Sequence, residues 1–349
     1  MLHGYPIAAT GGNWLHQCLD TVLRIVHANV AAGVVPFRWP TCVPVEHRDE
    51  LKGRHGLKSR LKSYSTALTG LTQQERDRIF TALTQQNDIP GLLSCASNCD
   101  LLANLPEPIK QPLRDLFSFS FELLTELGIR DQQYRLIWDA TPQHVCPFCG
   151  CEYFDAPGAP REGEDHYLAQ SIYPFAAVNL RNLVPMGGKC NERYKGAVNI
   201  LYAPNGTRRR VFDPYNHTTV SVSLKGSEVF EAQDARSPKW KISLIPASAE
   251  CETWDQVFKI RERYQRDILD PLFTEWLRPL GNWWRKEMPA GSNADEMLTD
   301  GIARYTSQLK MQELTGRDFL RVPMFEMLHE HCLAGNQRLI KFLRMVVSQ

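Results

Sequence analysis

No run of about 18 uninterrupted apolar residues occurs in the chain, which argues against a transmembrane helix. The opening residues, MLHGYPIAATGGNW, lack a basic stretch followed by an apolar one, so no secretory signal is expected. There is no internal repeat and no low-complexity tract, which sets aside a repeat architecture. An excess of positive charge is missing as well. With 40 Lys and Arg against 39 Asp and Glu the net charge is +1, so a nucleic-acid binder must rely on local patches or a partner. Ten cysteines without a signal read as reduced thiols plus a metal cluster rather than as a disulfide framework. The expectation is a soluble, cytoplasmic protein that does not engage a membrane.

What is present is ordinary globular material: 349 residues, 43% hydrophobic and 23% charged, enough for two or three domains or one core with additions. Residues 1–140 read as helical. Asn13 can cap a helix carrying Leu15, Leu19, Val22 and Val26 at helical spacing, and LTQQERDRIFTALTQQ and PLRDLFSFSFELLTELG repeat the pattern. Cys95 and Cys99 read as buried thiols on one helix face. Between 141 and 200 cysteine, glycine, proline, asparagine and histidine crowd together with little periodicity, and this segment is expected to carry the chemistry. Residues 201–247 form a small β segment, with HTTVSVSL and KWKISLIP as strands and KGS as a turn. From 248 to 349 the pattern is helical again, with Trp254, Val257, Tyr264 and Ile268 on one face. The fold class is therefore α+β and mostly helical.

Cys146 and Cys149 stand in CPFCG, the tight turn by which two thiolates reach one tetrahedral zinc. A redox pair has the same spacing, but no helix follows to stabilise a thiolate. Next come Asp165-His166 in EDHYLAQSIYP, an extended NLRNLVP, and CNERYKG, which opens a short helix with Asn191 and Lys195 one turn apart. Singly, Asp165-His166 reads as a surface ion pair and Asn191 as a cap. Lys195 reads equally as a phosphate contact or as part of a solvated helix face.

Together, CPFCG, DHYL, SIYP, NLRNLVP and CNERYKG resemble the HNH endonucleases, whose core is the ββα-metal, or His-Me, finger. The resemblance covers residues 146 to 196 and implies a central finger between the helical regions. It implies His166 as the general base, Asp165 and Asn191 as ligands of a catalytic Mg²⁺ or Mn²⁺, and Asn182 as the brace that orients His166. It also implies a structural zinc on Cys146, Cys149 and Cys190. Phosphodiester hydrolysis needs an in-line water, a base of near-neutral pKa, and positive charge on the leaving oxygen. Histidine and a hard cation on oxygen ligands answer these needs.

The chain departs from the family at two places. Gly187 stands where the second zinc pair usually begins, leaving three cysteines and a fourth ligand to come from Cys151, His144 or His217. Ala169-Gln170 stands where many members carry Pro-Lys. RHGLKSRLK near residues 54–62 and Arg208, Arg209 and Arg210 are candidate phosphate contacts, against a reading as solvated loops. The expected function is a metal-dependent endonuclease cutting DNA to 5′-phosphate and 3′-hydroxyl ends, with RNA allowed by the same chemistry. The helical flanks, with Trp283-Trp284, suit a core, a dimer interface or a dock for a partner such as an ATPase, and resemble those of bacterial anti-phage effectors. The alternative is a non-catalytic, zinc-stabilised module that binds nucleic acid or a partner.

Overall fold

The computed structural model describes residues 1–159, 165–216, 218–230, 238–289, 295–312 and 316–348. The chain is mostly helical, and among the described residues it carries two small antiparallel sheets of two strands each. No helix among the described residues is long and apolar enough to cross a membrane. The backbone divides into two compact units, one made of Gly4–His144 and Phe154–Thr218, the other of Met1–His3, Val145–Tyr153 and Thr219–Gln349.

The first unit is a helical layer with a short hairpin set into it. Helix α1 (Trp14–Ala31) buries Leu15, Leu19, Val22, Leu23, Val26 and Val30, a stripe at three- and four-residue spacing. Asn13 precedes it but does not cap it: its Oδ1 accepts from the Leu180 amide at 3.0 Å and its Nδ2 donates to Asn179 Oδ1. Helices α2 (His55–Thr69) and α3 (Gln73–Gln86) follow, the latter opened by a reciprocal Thr72–Glu75 capping box. Helix α4 (Glu107–Glu126) buries Ile109, Leu113, Leu116, Phe117, Leu123 and Leu124. It ends in the left-handed Gly128, φ 69°, from which α5 (Ile129–Ala140) departs. Cys95 and Cys99 are half-buried rather than buried. Cys95 lies beyond the short helix Ile89–Leu93 with φ 63°, so the two thiols do not share a helix face.

The hairpin pairs β1 (Asp165–His166) with β2 (Leu183–Val184), in the register Asp165↔Val184 and His166↔Leu183. Such a short ladder cannot hold a long connection by itself. The helices hold it instead. Phe175 packs edge-on against Phe117 and its amide donates to Gln86 Oε1. The Gln133 side chain donates to Leu180 O and to the Tyr215 hydroxyl, which itself donates to Leu183 O. The segment α6 (Lys189–Lys195) follows β2 and closes with a wide turn, Gly196 N–H to Asn191 O.

His27 shows what this packing does to a titratable group. It is 7% exposed, sits at 2.9 Å from the Tyr64 hydroxyl, and tilts against Phe80. Burial pulls its pKa down to about 4, Asp77 opposes, and Arg24 and Arg76 assist. The folded state thus refuses a proton that the unfolded chain accepts near pH 6.5. The stabilisation is complete above pH 6.5 and is lost as the pH falls toward 4, by about 1.4 kcal/mol per pH unit. His3, His16 and His166, pulled down to about 4 in the same way, add slopes of the same sign. Urea unfolding between pH 7 and 4 is therefore expected to show a steeper total, which His27→Gln reduces by about 1.4 kcal/mol per pH unit. An unchanged slope in the variant would remove His27 as a source.

The second unit pairs β3 (Ser221–Ser223) with β4 (Ser243–Ile245) and adds helices α7 (Ala249–Phe258), α8 (Asp270–Glu287), α9 (Asp295–Met311), α10 (Arg321–Leu333) and α11 (Gln337–Ser348). The turn expected at KGS is present, with Gly226 at φ 80° and Ser227 Oγ donating to Leu224 O. Trp284 is buried against Gly301 of α9, where any side chain would meet its ring, and Trp283 packs on Tyr305. Trp284 is core, and Trp283 is half-buried.

Candidate active site and cysteine cluster

In the first unit β1 carries Asp165 and His166, Asn182 stands in the turn just before β2, and α6, next in the chain, carries Cys190, Asn191 and Lys195. His166 closes β1. Its Nε2 lies 2.9 Å from the carbonyl oxygen of Ala177. A carbonyl only accepts, so Nε2 carries the proton and Nδ1 keeps its lone pair. Among the described residues no group takes that lone pair. Burial lowers the pKa of His166 to about 4, the bond to Ala177 pulls it back, and the charges of Lys195 and Arg130 push it further down. The imidazole is therefore neutral over the physiological range, the state a proton acceptor needs. A phosphodiester bound beside it, being an anion, would raise this value.

Asn182 is fully buried and makes three hydrogen bonds across the hairpin loop. Its Oδ1 accepts from the Leu168 amide at 2.7 Å, and its Nδ2 donates to Leu168 O at 3.0 Å and Ala176 O at 3.2 Å. The loop that this amide ties down is the one that presents the Ala177 carbonyl to His166. Asn191 is half-buried on α6, its amide bonded to Gly187 O. Asp165 pairs with Val184 through its backbone; its side chain lies outside what is described.

Two partners of His166 come from helices that the motif does not include. The Phe121 ring, on α4, lies 4.4 Å from the imidazole, and the Arg130 guanidinium, on α5, stands 4.5 Å from the centre of the same ring. No spacing near the motif could have announced them, because they lie far upstream and arrive by helix packing.

Lys195 corrects one expectation. It is 1% exposed with Nζ donating to Gly196 O, so it is not part of a solvated helix face. The arginine triplet is not a continuous basic surface. Arg208 spends its guanidinium on the carbonyls of Leu92, Ser97, Leu201 and Arg209. Arg209 is half-buried and reaches Tyr202 O at 3.4 Å; Arg210 is the exposed member. Gln170, where a lysine is common in the resembled family, donates to Ser118 Oγ on α4.

The sulfurs of Cys146, Cys149 and Cys190 lie within 4.8 Å of one another, all buried and none in a disulfide. The turn that presents the first two is built by Cys146 N–H to Glu152 O and Gly150 N–H to Cys146 O. Gly150 sits at φ 68° with Leu2 and Phe319 where a β-carbon would be. Thiolates around a tetrahedral zinc, each at about 2.3 Å, stand about 3.8 Å apart, so the three fit one metal ion with a small contraction. The cluster can hold a metal. Among the described residues no fourth His, Cys, Asp or Glu joins it. Cys151 Sγ is directed to Cys149 O at 3.0 Å. His144 lies flat on Trp138, ring centres 3.7 Å apart, with Nδ1 on Trp138 O. His217 lies outside the described residues. A group not weighed from the sequence, Glu152, brings Oε2 to 3.8 Å from Cys149 Sγ.

Compared with family models, curated proteins and solved structures, the chain matches none.

Proposed function

We propose that this chain is an HNH-type, metal-dependent endonuclease that hydrolyses phosphodiester bonds of DNA. One observation carries the reading: a histidine at the end of the first strand of a strand–strand–helix unit, its Nε2–H tied to a main-chain carbonyl and its Nδ1 lone pair left for a proton. A surface ion pair or a cap has no use for that tautomer.

In this reading His166 Nδ1 takes a proton from water as the water oxygen attacks phosphorus. The bond from phosphorus to the 3′ oxygen breaks, and the 3′ oxygen takes a proton from solvent. Asn182 holds the loop whose Ala177 carbonyl sets the imidazole, as second partners of catalytic histidines commonly do. Asp165 and Asn191 offer one carboxylate and one amide oxygen, hard donors suited to Mg²⁺ or Mn²⁺. When bound, such an ion supplies positive charge to the leaving oxygen.

The test is nicking of supercoiled plasmid by the full chain with Mg²⁺ or Mn²⁺, wild type beside His166→Ala. Cutting that needs the metal and disappears in the variant is expected. A wild type that binds the plasmid in EDTA yet cuts with neither metal would sink the reading in favour of a binding module, for which the cysteine cluster is the supporting feature. An anti-phage role and an ATPase partner rest on the resemblance alone and are not part of this proposal.

Zinc is the ion we assign to the cysteine cluster, since buried thiolates select it over harder cations. Elemental analysis of the purified chain is expected to find one zinc per molecule, and Cys190→Ser to lose it along with several kcal/mol of stability, on the order of a structural site's contribution. Zinc-free protein with unaltered unfolding would dismiss the assignment.

A further inference from the structure

We infer that Phe121, on α4 and outside the motif, is a positioning residue for His166: its ring sets the angle at which the imidazole presents Nδ1. The inference rests on the endonuclease reading above. Two points of the His166 side chain are fixed by other means. The β1 backbone places its Cβ, and the Ala177 carbonyl, 2.9 Å away, holds Nε2. Nδ1 lies off the line that joins those two points, so rotation about that line leaves both in place and sweeps Nδ1 through an arc. That rotation is in essence χ2 of histidine, a broad torsion with weak preferences of its own. Among the described residues no hydrogen bond to Nδ1 stops it.

The Phe121 ring does. Its centre lies 4.4 Å from that of the imidazole at a tilt of 50°, so the two rings are in contact and rotation toward Phe121 is closed by overlap. This wall is itself braced. Arg130 sets its guanidinium 4.5 Å from the Phe121 ring centre and donates from Nη1 to Thr125 Oγ1, one turn along α4. One turn the other way, Ser118 Oγ accepts from Gln170 Nε2 at 2.8 Å. The same face of α4 thus registers the chain at His166 and again four residues later. Phe121 has no polar atom to offer a phosphate, so its effect falls on proton transfer in the transition state and not on substrate affinity.

The experiment uses the full chain as wild type, Phe121→Ala, Phe121→Leu, Phe121→Tyr and Ser118→Ala. Plasmid cleavage in Mg²⁺ gives kcat and KM, thermal melting reports folding, and nitrogen NMR of histidine-labelled protein at pH 7 reads the His166 tautomer. Phe121→Tyr keeps the ring. Phe121→Leu keeps apolar bulk without a flat face, and serves where Phe121→Ala folds poorly. Ser118→Ala loosens the same helix contact without touching the imidazole. Expected is a kcat about tenfold lower in Phe121→Ala and Phe121→Leu, with KM changed less than about threefold. That fall equals about 1.4 kcal/mol, within reach of one aromatic contact. Phe121→Tyr and Ser118→Ala should keep kcat within about twofold, and an Nδ1–H tautomer absent from wild type should appear only in the alanine and leucine variants of Phe121. Equal losses in Phe121→Tyr and Phe121→Ala, a matching loss in Ser118→Ala, a change confined to KM, or a tautomer unmoved in Phe121→Leu would overturn the assignment. A wild type that does not cut sinks the endonuclease reading, and the tautomer alone then decides whether Phe121 fixes the imidazole.

Discussion

His166→Ala is expected to cut about 1,000-fold more slowly than wild type, the usual contribution of a positioned general base. The loss must be separated from a folding defect, because the imidazole also serves as structure: its Nε2–H bonds Ala177 O, and its ring packs on Phe121. Removing it leaves a carbonyl short of a donor in a loop whose neighbours are buried, at a cost of about 1–3 kcal/mol. His166→Gln resolves the two roles. Its amide N–H can serve Ala177, but the side chain has no group that accepts a proton at neutral pH. The glutamine variant should therefore unfold close to wild type in urea while cutting as poorly as the alanine variant. Activity retained in a well-folded glutamine variant would mean that another group takes the proton.

Asn182→Ala is expected to lower the unfolding free energy by about 3–5 kcal/mol, among the larger effects open to a single substitution. The side chain has no exposed surface, and its three bonds all go to main chain that is itself buried: both polar groups of Leu168, and Ala176 O. Alanine would strand the amide and the carbonyl of Leu168 with no route to water, while Ala176 O would keep the Asn179 amide as its donor. Asn182→Asp should be no milder, because it keeps the acceptor for Leu168 but turns a second oxygen toward two carbonyls. Urea unfolding gives the magnitude, and exchange of the Leu168 amide gives the location. A change under about 1 kcal/mol would mean that the loop is held by other contacts.

The coarse architecture was legible because local signals and packing agree. The apolar stripe of α1, the capping box of α3 and the glycine after α4 are each decided within a few residues, and the described chain follows them. The strands at 221–223 and 243–245 follow their alternation in the same way. Ligand spacing announced Cys146 and Cys149, and the family resemblance added Cys190, which lies with them. What was not legible came from contacts distant in sequence. Asn13 looked like a cap and instead serves Leu180, a partner 167 positions away. Arg208 looked like a surface charge because nothing nearby announces the four carbonyls that it binds. Lys195 read equally as a phosphate contact or as part of a solvated helix face, but its segment closes with a wide turn and the side chain is buried. Phe121 and Arg130 carry no motif at all.

The loop between β1 and β2 is anchored by Asn13, Gln86, Phe117 and Gln133, all belonging to the helical layer and none to the motif. The hairpin therefore has no independent existence as a portable cassette. An excised segment from 146 to 196 would keep every residue of the sequence signature and lose the scaffold that gives the histidine its tautomer. Conversely, an alteration at Gln86 or Gln133, remote in sequence from any site residue, would register as a lesion of the site itself. The helical region is in this sense the inner wall of the candidate active site, and its sequence is as much part of the chemistry as the motif.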